Sequence, residues 1–135
     1  MGAARNEAPS SLHHFHPDLR PPHVHEARNL DKDDTVLYAG GTLEYGASKV
    51  KYPSAKETVA HWAAHEGCAG GLVPGGADLD LVTSSPGADT TIERYDGCAK
   101  GAVELWTVKG GVHAPPFGVA FGPALWTFVE ADPQP

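Results

Sequence analysis

The chain is 135 residues long, 41% hydrophobic and 20% charged, enough for one domain with a core and too little for two. Its formal net charge is −7 and its ten lysines and arginines form no cluster, which speaks against nucleic acid and anionic membrane surfaces as partners, since neutralising phosphates needs grouped cations. No apolar run approaches the roughly 18 residues that span a bilayer, and the N-terminus shows no apolar core of a secretory signal.

Residues 1–28 contain five of the eight histidines and four of the twelve prolines, all but Pro9 in SSLHHFHPDLRPPHVHEAR. No period of 2 or 3.6 survives there, so a disordered arm is expected, and the folded part is expected to run over 29–135. The imidazoles of HHFH and HVH are spaced to share zinc, nickel or copper. No cysteine or acidic cluster completes a ligand set, so no metal and no cofactor is assigned.

Thr35 to Tyr38 reads as a short apolar strand end, stopped by Gly40-Gly41. A helix follows. Ser54 with Glu57 three residues on is a capping box, Ala55, Val59, Trp62 and Ala63 share one face, and Gly67 supplies the stop. GGLVPGGADLDLVTSSPGAD is a long loop with one strand-like turn in DLDL. Thr91 to Tyr95 and Ala102 to Val108 read as strands, the second with Val103, Leu105 and Thr107 on one face and Glu104, Trp106 and Val108 on the other. Gly110-Gly111 ends that strand and leads to His113. A last helix is expected from Pro123, with Ala124, Leu125, Phe128 and Val129 buried and Asp132-Pro133 ending it. Trp62, Trp106 and Trp126 are read as core aromatics. Strand, helix, strand, strand, helix is an α/β pattern. Cys68 and Cys98 fit neither a CxxC redox site nor a zinc set, and spacing alone leaves them free or bonded.

Two segments carry chemistry: GGVH at 110–113 and DKDDTVLY at 31–38. In a doubly wound sheet, reactive side chains sit on loops just past the carboxyl ends of strands, and both segments fit such loops. The order Asp then His, with a serine earlier still, is that of α/β-hydrolases. There a histidine takes the proton from a serine hydroxyl and returns it to the leaving group, while a buried carboxylate fixes the imidazole tautomer.

The pieces DDTVLYAGG, YPSAKETVAHWAAHEGC, GADTTIERYDGC, GAVELWTVKGGVHAPPF and FGPALWTFV, in this order, resemble the polyhydroxybutyrate depolymerase and feruloyl esterase group of secreted serine esterases. The resemblance runs from about Asn29 to the C-terminus. It implies the C-terminal half of an α/β-hydrolase fold, an ester substrate of polyester or aromatic acyl type, and an extracellular location. In the family, an HGTxDxxVPY-like segment supplies the triad acid, and matching Val36 and Tyr38 puts Asp33 in that place. Asn29-Leu30-Asp31 stands where the family has His-Gly-Thr, which keeps Asp31 as the alternative acid. A GGGH-like turn carries the family's histidine, here His113. The WAxxxGC and YxGC cysteines resemble a pair that the family joins, implying a Cys68–Cys98 disulfide.

The G-x-S-x-G elbow that presents the nucleophile does not occur in the sequence. Ser48, Ser54, Ser84 and Ser85 do not fit a strand-to-helix turn. The arm's Arg, Pro, His and Ala content is that of GC-rich coding sequence read out of frame, so a fragment of a longer gene is expected, inactive on esters by itself. The alternative from another class is a non-catalytic remnant or small binding module with a His-rich metal-binding arm.

Overall fold

The computed structural model describes residues 25–131; most of the expected arm, 1–24, and the tail 132–135 lie outside the described residues. In chain order the elements are β1 (His25–Leu30), β2 (Gly41–Tyr45), β3 (Ser48–Tyr52), α1 (Ala55–Glu66), β4 (Leu72–Pro74), β5 (Thr90–Tyr95), β6 (Val103–Val108) and α2 (Phe121–Ala131). β4, β5 and β6 pair antiparallel, β1 joins the other edge of β6 in parallel, and β2 with β3 makes a separate antiparallel ribbon.

This corrects the expected α/β architecture. The chain is a small, β-rich mixed fold with two helices among the described residues, and not the C-terminal half of an α/β-hydrolase. The reason is the connection between β5 and β6. Parallel neighbours need a crossover of a dozen or more residues, whereas the short Gly97–Gly101 link can only return the chain as an antiparallel neighbour.

α1 forms where the local signals put it. Ser54 Oγ accepts the Glu57 amide at 3.1 Å while Glu57 Oε2 accepts the Ser54 amide at 2.7 Å, so two orphan donors of the first turn are satisfied together. Gly67, at φ +68°, closes the helix with its N–H on the carbonyls of the last turn, a conformation that L side chains resist. Ala55, Val59 and Ala63 then pack on Val103 and Leu105 of β6, with Tyr38, Leu72, Tyr95 and both cysteines around them. Cys68 and Cys98 are disulfide-bonded, their Cα atoms 3.7 Å apart, tying the end of α1 to the β5–β6 turn. Trp62 departs from its expected core position. The buried arc of α1 is filled by Val59 and Ala63, and Trp62 stands on the helix shoulder, 38% exposed and edge-on to His65.

The opposite face of β6 carries Trp106, which packs with Leu81 and Phe128 of α2 in a second apolar cluster. Trp106 and Phe128 meet edge-to-face at 6.1 Å. α2 starts two residues before the expected Pro123 and commits less surface than its stripe suggested: Phe128 is buried, while Val129 and Trp126 are exposed. Beside this cluster the loop before β5 is pinned by a buried carboxylate. Asp89 accepts the amides of Leu81 (3.1 Å) and Val82 (2.9 Å) and the Thr90 hydroxyl (2.7 Å).

Candidate active site

The parallel pairing of β1 with β6 decides what can meet. Its last register pair is Leu30 with Val108, so both strands finish at one edge of the sheet and the segments after them start side by side. The Asp31 amide continues the ladder to the Val108 carbonyl, and the Lys32 amide bonds the Gly111 carbonyl at 3.0 Å. The two loops therefore run together for three residues, and two positions 80 residues apart in sequence come into contact.

Asp33 is held from both oxygens. Its Oδ1 accepts the amides of Thr35 at 2.8 Å and Val36 at 2.9 Å, and its Oδ2 lies 2.9 Å from His113 Nδ1. The two amide bonds curl residues 33–36 into a turn, which is why the apolar run Thr35–Tyr38, expected as a strand end, contains no strand. Burial of Asp33 raises its pKa, but the hydrogen bonds from the Val36 amide, from His113 and from the Thr35 amide outweigh it and hold the carboxyl below its ordinary value. The carboxylate is thus ionised near neutral pH. It fixes Nδ1 as the protonated nitrogen of a neutral ring and leaves the Nε2 lone pair available as a base.

His113 leaves β6 through a sharp turn. Gly110 sits at φ +70°, and the Gly111 amide returns to the Val108 carbonyl at 3.1 Å. The Asp33 side chain is only 7% exposed and that of His113 is 57% exposed, so the acid is covered and the imidazole faces outward. Nε2 has no hydrogen-bond partner among the described residues. Val36, Leu37 and Val112, chain neighbours of the pair, are exposed apolar side chains.

The residue after the histidine, Ala114, has φ +64°, the one described non-glycine in the left-handed region. That conformation costs an L residue about 1–2 kcal/mol. Ala114→Gly is expected to raise stability by about 0.5–1 kcal/mol, part of the relief being offset by the greater freedom of glycine in the unfolded chain. Urea unfolding of the two proteins checks this, and a loss of stability would mean that the turn is not strained.

The other expected site residues are placed as follows. Asp31 does not contact His113; its Oδ1 accepts the Gly110 amide. Ser54 is engaged at the α1 cap, and Ser48, Ser84 and Ser85 have no bond to His113. His61 and His65, whose spacing of four on a helix could pair them on a metal, are both exposed on α1, and no group of three or more metal-ligating side chains occurs among the described residues. No described helix is long and apolar enough to cross a membrane. Reading the sequence missed the Asp31–Gly110 bond, because it depends on the pairing of β1 with β6, which HEARNL does not announce. No protein-family model, curated protein or solved structure matches the chain.

Proposed function

We propose that this chain carries the general-base half of a carboxylic ester hydrolase of the polyhydroxybutyrate depolymerase and feruloyl esterase type, working through an acyl-serine intermediate. The observation that supports it is the Asp33 Oδ2–His113 Nδ1 contact at 2.9 Å, with the carboxylate covered and the imidazole outward. His113 Nε2 takes the proton of the attacking hydroxyl and delivers it to the departing alcohol, and Asp33 stabilises the imidazolium between these steps. Exposed Val36, Leu37 and Val112 suit an apolar acyl group. The nucleophile comes from outside residues 25–131, because no G-x-S-x-G occurs in the chain. The Cys68–Cys98 disulfide fits an oxidising, extracellular setting.

The test has two arms. The 135-residue chain alone should hydrolyse p-nitrophenyl esters no faster than its His113→Ala variant, since the nucleophile is missing. Translated together with the coding sequence upstream of Met1, it should hydrolyse them at a rate that His113→Ala abolishes, Asp33→Asn severely reduces and a fluorophosphonate blocks. A longer polypeptide that cleaves no ester, or whose rate ignores His113→Ala, would refute the reading.

A further inference from the structure

The loop bearing His113 is fastened to the loop bearing Asp33 by more than backbone pairing. Asp31 Oδ1 accepts the amide of Gly110, the residue at φ +70° where the chain turns out of β6. One residue, Lys32, separates this clamp from Asp33 on one side, and two, Gly111 and Val112, separate it from His113 on the other. The Lys32 amide on the Gly111 carbonyl is the rung between. From its far side the same turn is held by the Lys109 amide on the Asp89 carbonyl at 2.8 Å and by Lys109 Nζ on Asp78 at 2.6 Å. Gly110 has no side chain to pack and Val112 is exposed. These polar ties hold the turn from which the imidazole projects.

We infer that Asp31 is a positioning residue for His113: its carboxylate, by accepting the Gly110 amide, holds the turn in the register that lets Nδ1 reach Asp33. It does not touch the imidazole and takes no part in proton transfer. This rests on Asp33–His113 being the general-base pair, and it gives the first aspartate of the DKDD run a task distinct from that of Asp33. What the clamp needs is an acceptor oxygen, so an amide in place of the carboxylate should serve where a methyl cannot. A loop displaced by about 1 Å is enough to cost a reaction roughly 100-fold.

The test is the nitrogen-15 spectrum of the His113 ring in the 135-residue chain, at a pH where the imidazole is neutral, with exposed His61 as internal reference. The unsubstituted chain should show a protonated Nδ1 and an unprotonated Nε2, a pattern lost in Asp33→Asn. Asp31→Ala should shift His113 toward the averaged pattern of His61, while Asp31→Asn, which keeps an acceptor oxygen, should retain the unsubstituted pattern. An unchanged His113 in Asp31→Ala would overturn the positioning role, as would its loss in Asp31→Asn to the same extent as in Asp31→Ala. A His113 pattern that ignores Asp33→Asn would instead sink the general-base reading itself. Should Asp31→Ala fail to fold, amide exchange in the unsubstituted chain decides. Gly110 should exchange roughly tenfold more slowly than Val112, as one charge-assisted hydrogen bond dictates, and equal rates would overturn the clamp.

Discussion

Asp89→Ala is expected to destabilise the protein by about 3–5 kcal/mol, a large part of the roughly 5–15 kcal/mol that holds a small domain together. The carboxylate is 3% exposed and accepts three hydrogen bonds, from the Leu81 and Val82 amides and the Thr90 hydroxyl. Truncation leaves all three donors buried without an acceptor, and each such loss costs on the order of 1–3 kcal/mol. The damage spreads toward the site, because the Leu81 carbonyl accepts the Gly118 amide and the Thr83 amide bonds the Pro116 carbonyl, in the segment just beyond His113. Burial raises the Asp89 pKa, but the hydrogen bonds from Thr90, Val82 and Leu81 and the charge of Lys109 outweigh it, and the carboxyl is held below its ordinary value. With the folded pKa depressed, this stabilisation is present above the unfolded value near pH 4 and is lost as pH falls through the folded one. Urea unfolding at neutral pH, followed by tryptophan fluorescence, measures the difference; a cost under about 1 kcal/mol would show that water replaces the carboxylate.

Reducing the Cys68–Cys98 disulfide, or replacing both cysteines by alanine, is expected to cost roughly 3–4 kcal/mol by loop-closure entropy. The bonded residues are 30 apart in sequence, and the bond restrains the unfolded chain across β4, β5 and the long loop between them. In the folded state the two segments are also bound by backbone, with the Ala99 and Lys100 amides on the Glu66 carbonyl and the Ala69 amide on the Gly97 carbonyl. The folded arrangement should therefore survive reduction, and the effect should appear as a lower unfolding midpoint in reductant with an unchanged native far-ultraviolet spectrum. A reduced protein as stable as the oxidised one would show that the unfolded chain is already compact around the two cysteines.

What was legible in the sequence is what is decided locally. The α1 boundaries follow from Ser54, Glu57 and Gly67, whose partners lie within a few residues, and the two faces of β6 follow from simple alternation. β1 was missed because HEARNL has no alternating pattern; it is a strand because β6 offers an edge to it, which is a distant cause. The β2–β3 ribbon left little signal either. Leu43, Tyr45 and Val50 are exposed, so no buried face imposed a period on the sequence, although Gly46-Ala47 between two short runs was a hairpin hint. β4 is three residues ending in Pro74, tolerable because β4 is an outer strand of its sheet. The overall architecture failed for the same reason: strand direction depends on which neighbour each strand finds. Asp33 and His113, in contrast, were found through motif resemblance, and their meeting depended on the one parallel pair that local reading overlooked.

That parallel pair has a kinetic consequence. The β5–β6 hairpin and α1 are built from near neighbours and can form in microseconds, whereas β1 must find β6 across most of the chain, and such non-local pairing is slow because loop closure comes before any compensating contact. The Asp33–His113 contact, spanning 80 residues, belongs to this late event. The pair is consequently a reporter of completed folding: an intermediate with α1 and the β5–β6 hairpin in place but β1 undocked would retain much of the secondary structure and no oriented imidazole.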